Sequence, residues 1–192
     1  MFTIANFIDA GYVTKLCKPL GFEPRIDYAG LAQAMASGQA DAQTYYYDAP
    51  PADDPDADTE RQHWARRRRG FLDSLARCLG FCVRLGTVRK RFCRECGRAF
   101  YQQKRVDIQL AVDLTVLAVT GKITKACLLA GDEDFVPLVN VAREHGVFVH
   151  LFYGPGASRD LIQACDKATN ISGLLRDLTP APVMADALSV TR

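Results

Sequence analysis

Long apolar runs are missing from this sequence, and none approaches the roughly 20 residues a membrane-spanning helix needs, so no membrane partner is expected. The amino terminus, Met1-Phe2-Thr3-Ile4-Ala5-Asn6-Phe7-Ile8-Asp9, has neither the basic region nor the small-residue cleavage site of a secretory signal. It reads as a first strand already in the fold. A disulfide framework is equally ill served, because the cysteines number 7, an odd count, and lie scattered. That pattern points to a reducing compartment and a cytoplasmic location. Histidine is scarce, and His63, His145 and His150 show no metal spacing, which leaves them surface or structural roles. Gly154-Pro155-Gly156 is a turn, since neither the glycine spacing nor the lysine of a phosphate loop follows. There is no internal repeat.

What is present is a chain of 192 residues, 48% of them hydrophobic, enough for one domain with a real core and too apolar for disorder. The domain is expected over residues 1–179, with residues 180–192 as a flexible tail. The net charge of +2 says little, but its distribution says more. Asp53, Asp54, Asp56, Asp58 and Glu60 form an acidic patch, and a basic stretch over residues 61–105 follows it. Within that stretch Arg66, Arg67, Arg68, Arg69, Arg89, Lys90, Arg91, Lys104 and Arg105 are candidates to bind nucleic acid. A solvated helix face is the plainer reading of such a run.

Apolar runs alternate with helical spacing, the pattern of βα units around a parallel sheet. Strands are expected over residues 2–8, 42–47, 81–88, 125–130 and 147–153. Helices are expected from about Tyr12 to the Pro19 and Gly21 breakers, then from Asp27 as N-cap through Met35, and over 59–79, 135–144 and 158–165. Trp64, Phe71, Leu72, Leu75 and Leu79 make a helical stripe, so Trp64 is expected to pack in the core rather than stack on a base. Residues 106–119 are ambiguous. Val106, Ile108, Leu110, Val112 and Leu114 alternate like a strand, but 14 residues is long for one, and Leu110, Leu114 and Leu117 also make a helical stripe. The topology requires a helix there, before the strand that starts at Lys125.

Acidic residues fall where open α/β sheets keep their chemistry, near strand carboxyl ends. Asp9 ends the first strand, Asp132 and Asp134 follow the 125–130 strand, and Asp107 and Asp113 sit on the 106–119 segment. Carboxylates gathered from distant segments raise one another's pKa, a crowding that a cation relieves, and oxygen ligands suit Mg²⁺ or Mn²⁺. Such an ion could activate water for phosphodiester displacement. The plainer reading makes Asp134 a helix cap before Phe135. Asp107 and Asp113, six apart, point from different helix faces.

With these residues placed, the chain resembles the NYN branch of the PIN-like nucleases. The matching pieces are Phe7-Ile8-Asp9-Ala10-Gly11-Tyr12, the run from Lys104 to Asp113 (KRVDIQLAVD), and the run from Leu128 to Leu138 (LLAGDEDFVPL). The resemblance covers residues 2–178 and implies a PIN-like three-layer sandwich, an α/β fold with a mostly parallel central sheet flanked by helices. It further implies an acidic Mg²⁺ or Mn²⁺ pocket used to hydrolyse single-stranded or structured RNA. Asp9, Asp107 and Asp132 would be direct ligands, with Asp134 and Asp113 as ligands or supports. Many relatives carry an Asn shortly after the first Asp, where this chain has Gly11 and Tyr12. The leading expectation is a metal-dependent endoribonuclease, and the alternative is an RNA-binding or regulatory module with little activity. Toprim and haloacid-dehalogenase-like sites fit poorly, because the first would want a Glu at Asp9 and the second an Asp-x-Asp there.

Cys93-Arg94-Glu95-Cys96-Gly97 has the form of a zinc knuckle within a basic hairpin insertion at about residues 89–103. Structural zinc takes four ligands, and Cys78 and Cys82 are the nearest candidates to complete the set. Free thiols, or a pair bridging two subunits of a homodimer, are the plainer alternative. Cys17, Cys127 and Cys165 stand in apolar surroundings and are expected in the core.

Overall fold

The apolar runs become strands buried on both faces, as a parallel sheet covered by helices demands. A computed structural model describes residues 3–17, 26–52, 54 and 57–178. The expected helix stop at Pro19 and Gly21, Asp53 and Asp56 of the acidic patch, and the tail over 180–192 lie outside those residues. The strands are β1 (Ile4–Asp9), β2 (Gln43–Asp48), β3 (Phe81–Leu85), β6 (Lys125–Leu129), β7 (Phe148–Tyr153) and β8 (Lys167–Asn170). They form one six-stranded sheet in the order β3-β2-β1-β6-β7-β8, parallel throughout. Between β3 and the next helix a separate antiparallel hairpin is inserted, β4 (Thr87–Phe92) and β5 (Ala99–Lys104). The helices are α1 (Ala10–Cys17), α2 (Tyr28–Met35), α3 (Thr59–Ala76), α4 (Val106–Val119), α5 (Val136–Glu144), α6 (Arg159–Ala164) and α7 (Ser172–Asp177).

Because strand side chains alternate, neighbouring residues enter opposite cores. Phe7, Leu128 and Leu151 join Leu110 and Leu114 of α4 and Val139 of α5 on one face. Ile8, Leu129 and Phe152 join Val13, Leu31, Leu72 and Leu175 on the other. Helices thus cover both sides of the sheet, giving three layers. Asp27 caps α2 by accepting hydrogen bonds from the amides of Ala29 (3.1 Å) and Gly30 (3.0 Å). No helix among the described residues is long and apolar enough to cross a membrane.

Several expectations need correction. The strand expected over residues 81–88 breaks at Gly86, where a Cβ would stand 2.5 Å from the Lys104 carbonyl oxygen. There the chain leaves the sheet for the hairpin, whose two ends are pinched together. The 59–79 helix stops at Ala76, and Leu79 is fully exposed. Trp64 is exposed too, and lines a cavity of about 430 Å³ with Arg61, Arg66 and Arg69. The buried stripe of α3 runs instead through Ala65, Leu72 and Leu75, one residue out of step with Trp64. β8 and α7, short and polar, had no sequence expectation. Residues 106–119 are helical, as the topology required. Cys17 and Cys127 are buried, whereas Cys165 is only partly covered.

Candidate functional site

In the strand order, the chain runs outward from β1 in one direction and from β6 in the other, so the β1/β6 boundary is the sheet's switch point. Open α/β sheets form a crevice at the strand carboxyl ends there. A cavity of about 550 Å³ sits at this edge, and Asp9, Asp107, Asp132 and Glu133 all contribute to its wall. They reach it from three parts of the chain: Asp9 as the last residue of β1, Asp107 from the first turn of α4, and Asp132 and Glu133 from the turn after β6. Lys15 of α1, Lys104 and Gln103 of β5, and Ser158 complete its polar lining.

Asp9 is held in place by its own chain, since its Oδ1 accepts the amides of Gly11 (2.8 Å) and Tyr12 (3.2 Å). Burial pushes its carboxyl up from 3.8 to about 6, and nearby Asp107 pushes the same way, while the two amides and Lys15 pull it down. Asp107 is raised by partial burial, then by Asp132 and Asp134, with Lys15 opposing. Asp132 caps the 3₁₀ turn Glu133–Phe135 by accepting the Asp134 amide at 3.1 Å. The capping expected of Asp134 therefore falls on Asp132. Asp134 is exposed and lies outside the cavity wall, yet close enough to act on Asp107.

Asp113 stands elsewhere. It accepts the Tyr47 hydroxyl and the Arg84 guanidinium, both at 3.0 Å, and takes no part in the cavity. Among the described residues, no three carboxylate, imidazole or thiol groups stand close enough together to hold an ion between them. A closed cage is not what Mg²⁺ ordinarily takes, however. It keeps several waters and binds through one or two carboxylates. An open cavity with acidic walls and oxygen-only donors fits that form of binding.

Sequence reasoning missed Lys15, Gln103, Glu133 and Ser158, because nothing in their own motifs distinguishes them. It also missed what Tyr12 does at the departure from the family pattern. The Tyr12 hydroxyl donates to the Gly154 carbonyl (3.2 Å) and accepts the Gly154 amide (2.9 Å). Its ring packs where a Cβ on Gly131 would stand, 2.2 Å away, so glycine is required beside Asp132. Tyr12 thereby ties the loops after β6 and β7 to α1.

The basic residues separate into groups. Arg66 and Arg67 of α3 are exposed, as are Arg89 and Arg91 of the hairpin and Arg105. Arg105 has a left-handed backbone (φ 76°), a costly conformation for a residue with a side chain, directly before α4. Lys90 pairs with Asp54 at 3.0 Å, Tyr101 also hydrogen-bonds Asp54, and Arg61 lies over the Tyr101 ring at 3.8 Å. These contacts fasten the hairpin to the loop before α3, while Lys104 brings its far end into the cavity wall. Arg68 is structural, paired with buried Asp48, and Arg69 donates to the Pro51 carbonyl at 3.4 Å. At the hairpin tip, no third His, Cys, Asp or Glu among the described residues joins Cys93 and Cys96. The expectation that Cys78 and Cys82 complete a zinc site within one chain is therefore not met.

The raised Asp9 carboxyl bears on stability. A folded pKa above the unfolded value means that the associated stability is fully present below pH 3.8 and is lost as pH rises through about 6. With Asp9 ionised, the shift corresponds to about 3 kcal/mol. Asp9→Asn keeps the Oδ1 acceptor and removes the charge. In chelator it is expected to raise stability at pH 8 by about 1–3 kcal/mol, with the gain vanishing near pH 4. Urea unfolding at the two pH values checks this, and an Asn variant no more stable at pH 8 would contradict the burial of the charge.

A comparison with curated proteins found no match. Among solved structures, the chain is similar to the crystal structure of a protein of unknown function from Vibrio parahaemolyticus. The TM-score is 0.55 at 20% identity, covering 89% of this chain and 94% of that one, a likeness of fold. The family model described as the NYN domain matches residues 3–172. The chain therefore belongs to the NYN domain family of the PIN-like nuclease superfamily.

Proposed function

We propose that the protein is a metal-dependent endoribonuclease whose centre is the acidic cavity at the β1/β6 switch point. One observation carries the reading: Asp9, Asp107 and Asp132, from three distant segments, line one cavity with Lys15 and Lys104 beside them. Asp9 and Asp132 are oriented by backbone amides, so their free oxygens are presented without further ordering. A bound Mg²⁺ or Mn²⁺ would supply Lewis acidity and an activated water. Lys15 and Lys104 would draw a phosphate into the cavity and offset the acidic wall. Tyr12 holds the flanking loops in register while this happens.

A second reading, an RNA-binding module with little activity, draws on the absence of three converging ligand groups among the described residues. A circular RNA separates the two. Under the proposal it is opened in Mg²⁺ or Mn²⁺ and left intact in chelator, and opening of a circle identifies an endonuclease. Binding with no cleavage in either metal would leave only the second reading.

The exposed arginines give the binding test. Arg66→Ala with Arg67→Ala should weaken RNA binding for all sequences about equally. On single strands it should flatten the dependence of log affinity on log salt by about 0.7 for each phosphate that the variant no longer neutralises. Affinity measured across a salt series checks this, and an unchanged slope would remove α3 from the interface.

A further inference from the structure

The hairpin tip has no part in the cavity, and its turn is built in an unusual way. β4 and β5 pair up to Phe92 opposite Ala99, and residues 93–98 close the loop. The Cys93 amide donates to the Arg98 carbonyl at 2.9 Å, and the Gly97 amide to the Cys93 carbonyl at 3.0 Å. Gly97 takes φ 68°, a left-handed turn residue that only glycine adopts readily. The loop thus carries Cys93 and Cys96 on one short turn, where the backbone amides of Cys96 and Glu95 hold the Cys93 thiol below its ordinary pKa. Two cysteines in C-x-x-C spacing on a tight turn, one with its thiolate favoured, are half of a tetrahedral thiolate site.

The other half is not in this chain. All seven cysteines are free, and none of the other five, nor any histidine, stands with this pair among the described residues. The tip is exposed on both faces: Phe92 is 65% and Phe100 48% accessible, two large apolar rings flanking the turn. Charge points the same way. With Lys90 already paired to Asp54, Arg89, Arg91, Arg94 and Arg98 stand against the lone acid Glu95, so two such hairpins would repel each other. A zinc ion bound to four thiolates carries a net charge of −2 and offsets that repulsion where the two tips meet.

We propose that the Cys93–Cys96 knuckle is a zinc half-site, completed by the same knuckle of a second copy to give a zinc-linked homodimer. On binding, four thiols release four protons and Zn²⁺ takes their sulfurs. No electron is transferred.

Protein purified without chelator and held in a phosphine reductant should contain one zinc per two chains and run as a dimer in light scattering. Chelation should release the zinc and give monomers, and added zinc should restore dimers. Cobalt in place of zinc should give the intense sulfur-to-metal absorption and visible bands of a tetrahedral tetrathiolate, which the oxygen-rich cavity cannot produce. Cys93→Ser with Cys96→Ser should be monomeric and lack that spectrum. If this variant fails to fold, reversible chelation of the wild type carries the test. One zinc per monomeric chain, protein that stays zinc-free and monomeric when zinc is added, or a dimer that survives metal removal would each overturn the proposal.

Discussion

Arg68→Ala is expected to cost about 3–5 kcal/mol of folding stability, the scale for stripping one partner from a buried ion pair. The Arg68 side chain is 22% exposed and that of its partner Asp48 only 6%. Its guanidinium binds Asp48 Oδ2 and the Tyr46 hydroxyl (3.1 Å), and lies over the Phe71 ring at 4.9 Å. Asp48 closes β2, and its other oxygen accepts the Ala49 amide at 2.8 Å. Burial already raises this carboxyl despite the arginine beside it. Without Arg68 the charge stands alone in the core and its pKa climbs further. Protonation relieves that cost, so the deficit should shrink as pH falls. Asp48→Asn should recover part of the loss in the alanine background. Arg67→Ala, one residue earlier and exposed, should stay within about 0.5 kcal/mol of wild type. Denaturant unfolding at pH 8 and pH 5 checks all four proteins, and equal stability of the two arginine variants would show that the pair contributes nothing.

This arginine also shows where sequence reading ends. The run from Arg66 to Arg69 looks uniform, but helical geometry turns one member of it inward, and only the position of β2 determines which. Trp64 failed for the same reason: its stripe was legible as helical, but its phase was not, and the core took Ala65. The ambiguity over residues 106–119 has a physical source. α4 buries Leu110, Leu114 and Leu117 while exposing Ile108, Val112 and Val116, so apolar residues on two faces imitate a strand's alternation. Topology resolved it, because parallel strands need a crossover. The buried strands β1, β2, β6 and β7 and the positions of Asp9, Asp107 and Asp132 along the chain were legible because each depends on local pattern. Lys15, Glu133 and the displacement of Asp113 toward Tyr47 and Arg84 depend on how elements pack, which local pattern does not contain.

The largest effect is expected at the cavity itself. Asp9→Asn, Asp107→Asn and Asp132→Asn should each lower the cleavage rate by two to three orders of magnitude, roughly 3–4 kcal/mol of transition-state stabilisation. Each swap preserves shape and hydrogen bonding and removes a charge from a wall where Asp107 raises Asp9 and Asp132 raises Asp107. RNA affinity should largely survive, because the exposed arginines of α3 and the hairpin are untouched. Asp113→Asn is the internal control. It is chemically the same change, on the same helix as Asp107, but its carboxylate faces Tyr47 and Arg84, so the rate should hold. Chelator should abolish wild-type cleavage, and Ca²⁺ should restore it poorly, since its looser coordination suits in-line displacement less well than Mg²⁺. Single-turnover rates, with RNA affinity measured alongside, separate lost chemistry from lost binding. Cleavage that persists in chelator or in Asp132→Asn would defeat the proposed centre, and an Asp113→Asn as slow as Asp107→Asn would move that centre along α4 toward β2.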